Sequence, residues 1–202
     1  PDRYSTRSMA AELQKMARFP IVIKLDLQKA YWQIALDEAS CPLTATDFGA
    51  GIGVFEFEVL PFGMRNSGAV FQRIMDSILA PFDEWTGVFV DDVGVGGHSW
   101  TQALERWQQV LAAFSTAGLW LGPSKVDLNS RPMRMLGHVL QDGKFRPTGD
   151  VLATIDAIPL PRTRAELRSV VHQFAYFNPA VPALAGRLAR LRAIASAELM
   201  EQ

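Results

Sequence analysis

The chain has 202 residues, 49% of them hydrophobic, and a formal net charge of −1. These values exclude wholesale disorder and a uniformly basic surface, and they allow one sizeable domain or two small ones sharing a core. No apolar run approaches the ~20 residues that span a bilayer. The single cysteine, Cys41, has no partner for an internal disulfide. No membrane association is therefore expected, and the setting is expected to be reducing and intracellular, cytoplasmic or nuclear. The opening run Pro1 to Arg7 has neither an initiator Met nor an apolar signal core, and it reads as part of a longer chain.

Helical and extended patterns alternate along the sequence. Ser8 to Arg18 reads as a short amphipathic helix with Met9, Leu13 and Met16 on one side and Ser8 as its cap. Ile21 to Leu25 reads as a strand that ends at Asp26. Residues 42–47 and 53–59 read as a hairpin around Gly49-Ala50-Gly51. Pro61-Phe62-Gly63 breaks the chain before a helix over about 67–80, whose apolar stripe is Val70, Phe71, Ile74, Ile78 and Leu79. Val88-Phe89-Val90 and Val93-Gly94-Val95 flank Asp91-Asp92, which predicts a hairpin with carboxylates at its tip. A helix over about 100–117 follows, and then a strand over 133–140 with Gly137 inside it and a turn at Asp142-Gly143. Helices over about 148–157 and 163–176 precede an Ala-rich segment, 183–199, read as a last helix or a frayed tail. Helices interleaved with antiparallel hairpins, without a βαβ rhythm, indicate an α+β fold.

Charge divides the chain. Residues 1–130 hold 10 Lys/Arg and 15 Asp/Glu, whereas residues 131–194 hold 10 Lys/Arg and 4 Asp/Glu. An acidic front joined to a basic back suits a metal site beside a phosphate-contacting surface.

Three aspartates carry the chemistry. Asp26 closes an apolar strand, and Asp91-Asp92 sit between two apolar half-strands. Like charges this close raise one another's pKa, and a divalent cation removes that cost. Mg²⁺ takes oxygen ligands, commonly one or two carboxylates together with substrate phosphates. Asp26, Asp91 and Asp92 are therefore candidate metal ligands for two-metal phosphoryl transfer. His98 and His172 have no metal-pair spacing and read as structural.

Around these aspartates the sequence resembles the reverse transcriptase of gypsy-type LTR retroelements. Lys24-Leu25-Asp26-Leu27-Gln28-Lys29-Ala30-Tyr31-Trp32-Gln33-Ile34 is similar to the first catalytic motif of that family. Leu60-Pro61-Phe62-Gly63 through Phe71-Gln72 is similar to its LPFG-to-FQ segment, and Phe89-Val90-Asp91-Asp92 to its Tyr-x-Asp-Asp box. Leu136-Gly137-His138-Val139 with Asp142-Gly143 resembles its primer-grip hairpin. Pro159-Leu160-Pro161-Arg162 through Ser169 resembles the entry to its thumb helices. Phe89 stands where Tyr is usual, Gly68 where Pro is common, and Trp32 where His is common.

The resemblance implies a polymerase palm, an antiparallel sheet with packed helices, over residues 1–130. A primer-grip-like hairpin would follow at 131–145 and a partial, basic, helical thumb at 146–202. It implies RNA-directed DNA polymerase activity with two Mg²⁺ ions, for which Mn²⁺ can substitute. Asp26, Asp91, Asp92 and the Leu27 carbonyl would hold the metals. Tyr31 would be the steric gate under the incoming sugar, and Phe62, Gly63 and Gln72 would lie near nucleotide and template. Leu136, Gly137 and His138 would contact the primer, and Arg162, Arg164 and Arg168 the phosphates. Partners would be an RNA or DNA template with primer, dNTP, and upstream fingers and downstream RNase H and integrase segments of a polyprotein. The alternative is a palm without catalysis, kept as a nucleic-acid or protein interaction module. A cyclase-like palm is disfavoured by the Leu-Pro-Phe-Gly segment and the Leu-Gly-His hairpin.

Overall fold

The computed structural model describes residues 4, 7–49, 51–128, 132–178, 181 and 183–196. Most of the opening run 1–7, Ala50 of the expected turn, Arg131 at the start of the expected primer-grip hairpin, and the last three residues of the expected 183–199 helix lie outside these.

The centre is a three-stranded antiparallel sheet in the order β1 (Ile21–Asp26), β5 (Asp92–Gly97), β4 (Thr86–Phe89). Alternation along these strands sends side chains to two faces. On one face Ile23, Leu25, Val88, Val93 and Val95 form a buried cluster with Phe71, Met75 and Leu79 of α2 (Ser67–Leu79) and Ala103, Val110 and Phe114 of α3 (Trp100–Thr116). On the other, Val22 joins Leu13, Met16 and Ala17 of α1 (Met9–Ala17) and Met133, Met135 and Leu140 of a second sheet. The sheet is thus covered on both sides, and β5, paired on both edges, is its most protected strand.

Helix α1 reaches the sheet closely because β4 and β5 are glycine-rich there. A Cβ added at Gly87 of β4 would lie 2.6 Å from Met16 Cγ, and one at Gly94 of β5 3.0 Å from the Met16 sulfur. Ser8 precedes α1 in extended conformation without a side-chain capping bond.

The 42–59 hairpin is present but short. β2 (Thr46–Asp47) pairs with β3 (Val54–Phe55), and Cys41–Thr44 forms a 3₁₀ turn in place of the expected strand start. Pro42 explains the difference, since its missing N–H and fixed φ suit the first turn of a helix better than a ladder.

The 133–140 segment is not one strand. Leu136 (φ 49°) and Gly137 (φ 67°) turn the chain between β6 (Met133–Met135) and β7 (His138–Gln141), which pairs with β8 (Lys144–Pro147). The helices α4 (Gly149–Asp156), α5 (Arg164–Ala175) and α6 (Leu184–Ser196) complete the fold. Thr163 and Glu166 form a reciprocal capping box that starts α5. Tyr176 ties this helical end to the second sheet by donating its hydroxyl to the Leu136 carbonyl. Among the described residues no helix is long and apolar enough to cross a membrane.

Candidate active site

The register of β1 on β5 sets Asp26 directly opposite Asp92. Both strands run out at this point, so an apolar pair of strands delivers two carboxylates side by side on one face. Asp91 lies next to them in the two-residue loop between β4 and β5, whose last pair is Phe89 with Asp92. Val90, the other loop residue, has φ 57°. A positive φ at the first loop position matches the twist of a tight hairpin but is costly for a β-branched residue.

Two groups hold this loop. The Val90 N–H donates to Gln72 Oε1 at 2.9 Å, and Gln72 Nε2 donates to Asp76 Oδ1 at 3.0 Å. Asp76 also accepts the Arg7 Nε at 2.5 Å and the Tyr4 hydroxyl at 2.6 Å. The amide orientation of Gln72 is therefore set by Asp76, whose carboxylate can only accept.

Each strand-end aspartate has its own lysine. Lys24 Nζ lies 2.8 Å from Asp92 Oδ1, and Lys125 Nζ lies 3.2 Å from both Asp26 oxygens. Lys125 comes from an arch, Leu121 to Asp127, pinned at both feet beside β1. Leu27 bridges Leu121, and Lys24 exchanges two 2.9 Å backbone hydrogen bonds with Asp127. Among the described residues Asp91 has no lysine seated on it. Partial desolvation raises its pKa above the ordinary carboxylate range, and Asp92 and Asp26 add to the rise. Its own backbone amide and Lys125 pull the other way.

Among the described residues no three His, Cys, Asp or Glu side chains form a ready-made metal cage. The donor set nonetheless fits a hard divalent cation: oxygen ligands only, on adjacent strand ends. The lysines neutralise Asp26 and Asp92 where such a cation would.

Tyr31 stands on the 3₁₀ turn Ala30–Gln33, just beyond β1. Its ring packs edge-on against Phe62 (4.9 Å) and against Phe71 (5.3 Å). Burial, and then the Asp91 charge, raises its hydroxyl pKa. A Cβ at Gly68 would come within 3.7 Å of that hydroxyl. Phe62 is 56% exposed and touches Trp32, over which Lys29 sits at 5.1 Å; Gly63 turns with φ 85°.

Several expected contacts take other forms. Gln72 is fully buried and reaches the site through the Val90 amide. His138 is also fully buried; its Nδ1 meets the Leu136 carbonyl at 2.7 Å, and its ring packs on Phe145 and Tyr176. The Leu136 carbonyl is engaged by His138 and Tyr176, and a Cβ at Gly137 would lie 2.6 Å from the Tyr176 hydroxyl. Glycine is thus required there by internal packing. Arg168 binds the Ala195 carbonyl at 3.1 Å and joins α5 to α6, while Arg162 and Arg164 are exposed on that basic end. Lys24, Lys125 and Gln33 are site residues that the sequence did not single out.

Comparison with known proteins identifies the family. Residues 2–140 fit the family model described as reverse transcriptase (RNA-dependent DNA polymerase). The chain belongs to the reverse transcriptase family. It is 31% identical over 183 residues to the retrovirus-related Pol polyprotein from transposon 297 of Drosophila melanogaster, covering 90% of this chain and 17% of that one. It is 29% identical over 182 residues to the enzymatic polyprotein of cauliflower mosaic virus (strain D/H), covering 90% of this chain and 26% of the relative. The chain thus spans about a quarter or less of these polyproteins. In structure it resembles the foamy viral protease-reverse transcriptase in complex with RNA/DNA hybrid, with a TM-score of 0.78 and 23% identity over 98% of this chain and 27% of that one. That likeness supports the α+β polymerase palm fold.

Proposed function

We propose that this chain is the palm and the start of the thumb of a gypsy-type retroelement polyprotein, and that it carries out RNA-directed DNA synthesis. The observation that carries the reading is the Asp26–Asp92 register with Asp91 at the adjoining turn. Residues 1–130 would form the palm, 131–145 a hairpin bracing it, and 146–202 a partial thumb. Asp26, Asp91 and the Leu27 carbonyl, with Asp92 in support, would hold two Mg²⁺ or Mn²⁺ ions, which when bound activate an attacking hydroxyl and stabilise the leaving oxygen.

The chain's own residues prepare the rest. Gln72 and the hairpin fix Asp91. Tyr31, braced by Phe62 and Phe71, would pack under the incoming sugar and exclude a 2′-hydroxyl. Phe62 and Gly63 would meet nucleotide and template from the exposed side. Arg162 and Arg164 would contact phosphates of a template–primer duplex. In the polyprotein, fingers would lie upstream and RNase H and integrase downstream.

Primer extension on poly(rA)/oligo(dT) with Mg²⁺ tests this, using the chain and a version extended upstream. Incorporation of dTTP is expected, and Asp91→Asn should lower it by at least roughly 10²-fold. No incorporation by either protein would overturn the enzymatic reading. Incorporation indifferent to Asp91→Asn would overturn the site. The second reading, a palm that binds without catalysis, is favoured by the lysines seated on Asp26 and Asp92.

A further inference from the structure

Gln33 makes a contact that a surface glutamine has no local reason to make. Its Oε1 accepts the Trp120 N–H at 2.6 Å, while its Nε2 donates to the Trp120 carbonyl at 2.9 Å and also to the Gln28 carbonyl. The carboxamide thus copies a backbone peptide and adds one rung to a ladder. That rung is placed where the chain needs it. Trp120 immediately precedes Leu121, the first foot of the arch, which bridges Leu27. Between Leu121 and the second foot at Asp127, the arch leaves β1 as a 3₁₀ turn, Pro123–Lys125, and puts Lys125 on Asp26.

The second foot is held by a full pair of backbone bonds between Lys24 and Asp127. The first foot has the isolated Leu27–Leu121 bridge, the Leu121 side chain packed on the core, and the Gln33 clamp. Trp120 itself adds little holding force, since its side chain is 75% exposed. A half-exposed lysine on a flexible stem over a carboxylate holds weakly unless its backbone is fixed, because the pair must offset the entropy of the long side chain. The clamp supplies that fixity.

We propose that Gln33 is a positioning residue: by clamping Trp120 it holds the Leu121–Asp127 arch so that Lys125 neutralises Asp26, and any divalent cation entering the site must displace that lysine. The inference rests on the metal-binding reading of Asp26, Asp91 and Asp92. Gln33 also closes the 3₁₀ turn that carries Tyr31. One carboxamide therefore ties the turn that carries Tyr31 to the arch that places Lys125 on Asp26.

The test uses the whole chain, with Mn²⁺ as the probe, and compares wild type, Gln33→Leu, Gln33→Glu, Lys125→Ala and the Gln33→Leu/Lys125→Ala double variant. Amide exchange reports on the arch directly. Gln33→Leu should speed exchange in the 119–127 segment by roughly 10-fold, and Gln33→Glu, which keeps the acceptor for the Trp120 N–H, by less. Exchange unchanged in both variants overturns the proposal. Mn²⁺ binding reports on the charge. Gln33→Leu and Lys125→Ala should each tighten it about two- to five-fold, the range expected for removing an exposed competing cation. The double variant should match Lys125→Ala alone. A gain from Gln33→Leu that persists in full without Lys125 overturns the link between the two residues. Absence of Mn²⁺ binding in wild type and every variant overturns the metal reading and the displacement step built on it, while faster arch exchange in Gln33→Leu would still uphold the clamp.

Discussion

Gln72 Oε1 accepts the backbone N–H of Val90 at 2.9 Å, and Val90 is the residue whose left-handed φ of 57° turns β4 into β5. A buried side chain on α2 thereby holds the turn that presents Asp91. Replacing Gln72 by Leu keeps the bulk but leaves the Val90 amide without its acceptor, which costs about 1–3 kcal/mol. Gln72→Glu keeps the acceptor but sets a second carboxylate 3.0 Å from Asp76. Urea denaturation should show both variants less stable than wild type, with the slope unchanged. Wild-type stability in Gln72→Leu would show that the turn holds itself.

The glycines of β5 make unequal demands. At Gly97 a Cβ would strike the Ala103 backbone, which belongs to a packed helix and cannot yield locally. At Gly94 it would meet the Met16 sulfur at 3.0 Å and the Met135 sulfur at 3.3 Å. Thioethers adapt more readily than a helix backbone. Gly97→Ala should destabilise by about 1–3 kcal/mol. Gly94→Ala should cost clearly less, since the Met16 and Met135 side chains can move aside where the Ala103 backbone cannot. Thermal melts of the two variants decide the order; equal losses would mean that α3 shifts to accommodate the methyl group.

Asp83 gives the fold a pH dependence. Its pKa is held below the ordinary carboxylate value, chiefly by the Arg7 hydrogen bond, with Lys15 adding to the effect. A depressed carboxylate pKa contributes stability that is present above the unfolded-state value and is lost as pH falls through the folded one. Asp83→Asn should therefore lower the melting temperature at pH 7, and the gap to wild type should close as pH drops below about 4. Asp83 is half exposed, so solvent screening limits the effect to roughly 0.5–1 kcal/mol. A gap that stays constant down to pH 3 would mean that the variant acts through packing, not charge.

Much of the fold could be read from local pattern. The apolar run Ile21 to Leu25 and the half-strands flanking Asp91-Asp92 became β1, β4 and β5 because alternation sets which face of a sheet is buried. The helices followed their apolar stripes, although Gln72 and Met75 replaced Ile74 on the buried face of α2. What could not be read were the contacts made across long stretches of chain. Gln33 meets Trp120 87 residues away, and Lys125 meets Asp26 99 residues away. Neither leaves a periodicity in the sequence. Gln72 and His138 stood in the expected neighbourhood, but a polar residue's burial depends on partners that only the fold supplies. Gly137 looked like a glycine within a strand, and the Tyr176 hydroxyl that requires it comes from a different element.

The pairing of Lys24 with Asp92 and of Lys125 with Asp26 bears on the order of events in a newly made chain. Carboxylates brought together at strand ends repel, and a site that relied on ions to quiet them could not close its sheet until the ions arrived. Here the sheet brings its own neutralising charges, one from β1 and one from the arch. On the proposed metal-binding reading, folding is completed first and the ions are admitted afterwards, so a shortage of metal would silence the protein without unravelling it.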